Sequence, residues 1–132
     1  MCTAGGAVAA LFALDYAITV GKPPAAVYTF GQPRTGNLDF AHYYASMVNT
    51  HWRSTHHRDP VPHLPYELMG FHHMTTEVYY SGDDGKTHKI CSSTDGEDST
   101  GSDQFSGNII FLADHWSYLG FSYLQGVLRC TL

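Results

Sequence analysis

Two breaks, Gly21-Lys22-Pro23-Pro24 and Gly31-Gln32-Pro33, divide the start of the chain into a long Ala-rich stretch and a short β-prone run. Residues 4–20 have high helix propensity, with apolar Val8, Leu11, Phe12 and Ala13 at helical intervals. A helix is expected there, ended by a glycine and a proline pair that cannot continue it. Residues 25–30 then form a compact run of β-formers, the pattern of a buried parallel strand. Asn37 or Thr35 is placed to cap a second helix over residues 38–49, and residues 51–56 read as the next strand. Helix, strand, helix, strand is the order that a crossover in a parallel sheet produces. The expected fold class is therefore α/β.

Further along, residues 77–80 and 87–91 are β-prone and flank Ser81-Gly82-Asp83-Asp84-Gly85, a hairpin turn signal, so the mostly parallel sheet should end in a C-terminal hairpin. Residues 92–108, rich in Ser, Thr, Gly and Asp, read as an exposed, weakly ordered loop, with order resuming at Ile109. No internal repeat and no second domain boundary is visible.

Composition limits the function classes. A formal net charge of −5 with only seven Lys and Arg supplies no basic face for neutralising phosphates, which argues against a nucleic-acid partner. The longest apolar stretch, residues 7–20, is interrupted by Asp15 and is shorter than the roughly 20 residues that cross a bilayer, so no transmembrane segment is expected. No secretory leader pattern is visible either. Cys2, Cys91 and Cys130 are an odd set, and leave the redox compartment open.

Three residues stand in the chain order of a serine-type hydrolase triad, nucleophile, acid and histidine: Thr3, Asp59 and His115. Asp59 follows a strand and is set among Pro60, Pro62 and Pro65, whose fixed φ stiffens the loop and can aim a carboxylate. In that arrangement Asp59 selects the tautomer of His115, and His115 acts first as base and then as acid. The backbone N–H of Ala4, at the start of a helix, would donate to the oxyanion. The opening Met1-Cys2-Thr3-Ala4-Gly5 occupies the place of a Gly-x-Ser-x-Gly elbow, but with methionine for the first glycine and threonine for serine.

Three blocks strengthen this reading. They are Tyr28-Thr29-Phe30-Gly31-Gln32-Pro33-Arg34-Thr35-Gly36-Asn37, Arg58-Asp59-Pro60-Val61-Pro62-His63-Leu64-Pro65 and Asp114-His115-Trp116-Ser117-Tyr118. With them the chain resembles the second half of a fungal-type class 3 lipase, over residues 3 to 131. The resemblance implies a partial α/β-hydrolase fold, with residues 1–132 as the C-terminal half of the domain. It also implies a secreted lipase or feruloyl-type esterase that forms an acyl-enzyme at a lipid–water interface without cofactor or metal. Asp59 and His115 carry over directly, whereas Thr3 carries over only as a position. Cys130 resembles the family's terminal cysteine, with its partner upstream. Cys91 resembles half of a second bridge whose other half falls at Thr100 or Gly101, so that bridge is expected to be absent.

A truncated or degenerate chain is the expectation from this start. The β-branched Thr3 suits a strained elbow poorly, and the strand at residues 26–30 would lack its central neighbour, leaving an open sheet edge. The rival reading is a catalytically dead lipid- or partner-binding remnant, with Trp116, Tyr118, Phe121, Tyr123 and Leu124 forming apolar surface around a vestigial pocket. Nine histidines, including His56-His57 and His72-His73, raise a metal site. Adjacent strand residues point to opposite faces, however, so neither pair is a natural chelate.

Overall fold

The computed structural model describes residues 3–105, 111–123 and 125–126. Cys2, Ile109, Leu124 and Cys130 lie outside the described residues, as does the side chain of Thr3. Helix α1 (Thr3–Val20) leads to strand β1 (Val27–Phe30), helix α2 (Leu38–Met47) and strand β2 (His51–His56). After two single 3-10 turns come β3 (Glu77–Tyr80) and β4 (His88–Ile90). The short helix α3 (Leu112–His115) and a two-residue ribbon of β5 (Ser117–Tyr118) and β6 (Phe121–Ser122) follow. The main sheet runs β1-β2-β3-β4, with the first two pairings parallel and β3–β4 antiparallel. The α/β class, the parallel sheet and its closing hairpin are as the sequence implies. Strand β1 is the outer strand of this sheet among the described residues.

Helix α1 sits close to the sheet because its inner face is small. Ala10, Ala13, Leu14 and Ala17 repeat at three- and four-residue intervals and are all buried, together with Ala41, Tyr44 and Val48 of α2 and its cap, and Met74. Asn37, and not Thr35, is the α2 cap: its side-chain oxygen accepts from the Phe40 N–H at 2.9 Å. The outer face of α1 carries Val8, Phe12, Ile18 and Val20 in solvent.

The 92–108 region departs from expectation over its described part. Asp98 accepts from the N–H groups of Ser92 and Thr100, and Asp95 from that of Glu97, so the side chains supply the turns that apolar burial does not. Glu97 ties the loop down, with both oxygens on the Arg34 guanidinium at 2.7–2.8 Å and one on the His73 N–H. Cys91 is a buried free thiol, its pKa pushed up to about 12 by burial and by Glu77. Gly101 is its neighbour: a Cβ there would lie 2.7 Å from the Cys91 sulfur and 2.1 Å from Glu77 Oε2.

Buried histidines make the fold acid-sensitive. Burial, with Arg53 nearby, pushes His51 down to about 3, and burial likewise holds His73 well below the usual imidazole range. A histidine with lowered folded-state proton affinity stabilises the fold above its unfolded value of 6.5, and that contribution is lost as pH falls toward the folded value. Each such proton is worth about 1.4 kcal/mol per pH unit. Urea midpoints should therefore fall steadily from pH 6.5 downward, with uptake of about two protons on unfolding. His51→Asn is expected to remove one of them, and an unchanged slope would count against this origin.

Candidate active site

Strand β2 ends at His56, and the backbone turns sharply at His57, which takes a left-handed φ of 43°. Two residues on, the Asp59 N–H donates to the His56 carbonyl at 2.9 Å, so the loop is tight where the carboxylate emerges. Asp59 Oδ1 accepts from the Val61 N–H at 2.8 Å, an Asx-type turn that also sets the side-chain angle. Both Asp59 oxygens lie 2.8–2.9 Å from His115 Nδ1, and both residues are buried. The expected acid and histidine, 56 residues apart in the chain, are thus brought together.

Two further residues complete this pair: Tyr118, which the sequence offers only as apolar pocket surface, and Gly31, to which the sequence gives no role. The Tyr118 hydroxyl donates to Asp59 Oδ2 at 2.5 Å, and burial together with the Asp59 charge raises its pKa well above the usual phenol range, so it remains a donor. Gly31, with φ 57°, closes β1 directly beneath the pair. A Cβ at Gly31 would meet Asp59 Oδ2 at 2.8 Å and His115 Cε1 at 2.9 Å, so only the bare backbone fits. The signals are present, a glycine after a β-run and a tyrosine three residues past the histidine, but neither names its partner.

A pocket of about 300 Å³ opens beside His115, lined by Phe30, Trp116, Tyr118, Phe121 and Tyr123 among others. The aromatic run after the histidine therefore forms pocket wall, with Phe30 and Tyr118 meeting edge to face at 5.9 Å. Ala4 lies in the first turn of α1, which reaches the same end of β1: Gly6 packs against Gln32, next to Gly31.

His56 and His57 do not diverge as adjacent strand residues should. The left-handed turn at His57 brings both rings to one residue: His56 Nδ1 lies 3.0 Å from the Asp114 carbonyl, and His57 Nδ1 lies 3.0 Å from its carboxylate. One acidic group, Glu67, Glu97 and Asp103, has metal-like spacing among the described residues, but the Arg34 guanidinium sits at 2.7–3.4 Å from all three and already occupies their centre as a cation.

Residues 3–69 match the family model for class 3 lipases. The chain belongs to the class 3 lipase family. A lipase of Rhizomucor miehei is 37% identical over 121 residues, 88% of this chain and 32% of that protein. The secreted mono- and diacylglycerol lipase 1 of Fusarium solani is 40% identical over 78 residues, 59% of this chain and 23% of that protein. Among solved structures, lipase II of Rhizopus niveus superposes with a TM-score of 0.82 at 31% identity, covering 89% of this chain and 44% of that one. A triacylglycerol lipase described as having a serine-protease triad superposes with 0.80 at 38% identity, covering 89% and 45%. This class 3 lipase chain thus has part of the α/β-hydrolase fold of these neighbours. It spans about a third or less of the curated relatives cited here.

Proposed function

We propose that this chain is the C-terminal half of a class 3 lipase domain and carries the acid and base of an acylglycerol ester hydrolase, with Asp59 as the acid and His115 as the base. The observation that carries this reading is the buried Asp59–His115 pair, 2.8–2.9 Å apart beside an aromatic pocket. Asp59, held by Val61 and Tyr118, keeps a proton on Nδ1 and directs Nε2 to exchange protons with the nucleophile and then with the leaving alcohol. Thr3 occupies the nucleophile position, and the Ala4 N–H, in the positive first turn of an 18-residue helix, is the oxyanion donor. The apolar lining suits acyl chains, no cofactor is needed for acyl transfer, and the substrate is met at a lipid–water interface. Relatives named as secreted lipases support secretion.

A secondary hydroxyl on a β-branched residue is a hindered nucleophile, so activity with threonine is expected to be weak. The test is a chimera in which the upstream part of the Rhizomucor miehei lipase precedes residue 3, assayed on nitrophenyl esters and on diacylglycerol emulsions. Thr3→Ser should raise turnover strongly, and adding His115→Ala should lower it by roughly 10⁶. A folded Thr3→Ser chimera with no activity that still adsorbs to the emulsion would instead identify a binding remnant.

A further inference from the structure

The helix that bears His115 cannot hold itself in place. Helix α3 has only four residues, and Phe111, the residue that precedes it, provides no side-chain cap. So short a helix is unstable unless tertiary contacts fix it, because nucleation spends most of its backbone order on a single hydrogen bond. Besides the His115–Asp59 pair, the hydrogen bonds that Phe111 and Asp114 make across the fold among the described residues run to one tripeptide, His56-His57-Arg58. The Phe111 N–H donates to the Arg58 carbonyl at 3.2 Å. The Asp114 carbonyl is met by His56 Nδ1 at 3.0 Å. Asp114 Oδ2 accepts from both the Arg58 N–H and His57 Nδ1, each at 3.0 Å.

We propose that Asp114 and His57 are positioning residues: they form a strap that sets the height and rotation of α3 and so aligns the His115 ring on Asp59. The proposal rests on the acid–base reading above. It gives a use to the His56-His57 pair that the metal reading does not. It also accounts for the backbone at His57, since φ 43° is an uncommon conformation for a residue with a Cβ, and an extended backbone there would turn the ring away from Asp114. On its other side the strap is braced by Phe105, whose ring lies 5.9 Å from that of His57 and 5.4 Å from the Arg58 guanidinium. Asp83 Oδ1, on an exposed side chain, lies 3.3 Å from His56 Nε2.

The two ends of the strap differ in what their loss should do. The His57 ring is partly exposed, so His57→Ala removes one hydrogen bond without opening the core. Asp114→Ala removes two, leaving the Arg58 N–H and His57 without their acceptor. Asp114→Asn keeps an oxygen for the Arg58 N–H and should retain most of the alignment.

The experiment is proton NMR of the full chain, reading the low-field Nδ1–H resonance of His115 and its protection from solvent exchange, with Asp59→Asn and His115→Ala as assignment controls. Protection is expected to fall about tenfold in His57→Ala and further in Asp114→Ala, the size of effect that loss of one charge-assisted hydrogen bond produces. Asp114→Asn should recover it. A general loss of stability would move the melting temperature without this pattern of loss and rescue. Unchanged protection in folded His57→Ala and Asp114→Ala overturns the strap; should Asp114→Ala fail to fold, unchanged protection in His57→Ala alone does so. If the unmodified chain shows no such resonance, the Asp59–His115 pair itself is overturned, and the strap with it.

Discussion

Replacing Arg53 with leucine is expected to lower the stability of this chain by about 3–5 kcal/mol, read as a shift in the urea midpoint at constant slope. Arg53 is in the middle of β2, in register with Glu77 of β3, and its side chain is fully buried. Its Nε–H donates to the Met74 carbonyl at 2.7 Å and its Nη2–H to the Gly96 carbonyl at 3.0 Å. Burial pulls the guanidinium pKa down, while the charges of Glu77 and Glu97 pull it up. Leucine fills much of the volume but strands two buried carbonyls and leaves Glu77 facing an apolar side chain. The expected loss is a large share of the 5–15 kcal/mol that holds an ordinary domain together. Arg53→Lys should fall between, because one ammonium cannot reproduce a planar fork aimed at two carbonyls. A leucine variant within about 1 kcal/mol of the parent would show that the buried cation is dispensable there.

The same residue shows where sequence reading stops. The backbone plan was legible because its signals are local: the Gly-Pro breaks around β1, the Asn37 cap and the Ser81–Gly85 turn act within a few positions. Strand β2 was legible as a strand but not as an interior one. Its residues His51, Arg53, Ser54, Thr55 and His56 are all buried, whereas a strand with both faces covered ordinarily reads as Val, Ile and Leu. Those polar groups are tolerated because partners distant in sequence satisfy them: Thr29 for His51, Glu77 for Thr55, the Asp114 carbonyl for His56. Composition alone could not supply such pairings. Residues 92–105 form the loop that the sequence implies, but a better ordered one than its Ser, Thr and Asp content signals, because the Arg34–Glu97 pair joins partners distant in sequence.

In the candidate site, Asp59 and His115 were legible because they sit in dense motifs with few alternative readings. Tyr118 and Gly31 lie inside the same motifs, yet their contributions are contacts, one made by a hydroxyl and one permitted by a missing Cβ. Asp114 shows a third kind of opacity. It is adjacent to His115 in sequence, but its partners are the residues that precede Asp59, so the acid and the histidine are joined twice, once through their own side chains and once through their neighbours.

That double joining makes Gly31 the most sensitive small position in the site. Gly31→Ala is expected to leave the sheet intact and to separate Asp59 from His115. The added methyl would lie 2.8 Å from Asp59 Oδ2 and 3.0 Å from His115 Nδ1, and only the imidazole ring is free to turn away: the Asp59 carboxylate is tied to Val61 and Tyr118, and the backbone of His115 is on a helix anchored to the end of β2. Alanine also takes a left-handed φ of 57° at a cost of about 1–2 kcal/mol, so the backbone cannot relieve the clash by staying where it is. The strain is relieved most cheaply by rotating the imidazole off the carboxylate, because that sacrifices one hydrogen-bonded pair rather than the β1–β2 ladder. In a serine-bearing chimera, loss of the aspartate's hold on the imidazole should lower turnover by about 10⁴, with substrate affinity little changed. Circular dichroism should remain that of the parent, and the low-field His115 proton should disappear. Full activity in Gly31→Ala would mean that the ring does not need Asp59 in this geometry, and would remove the main structural support for assigning acid and base to this pair.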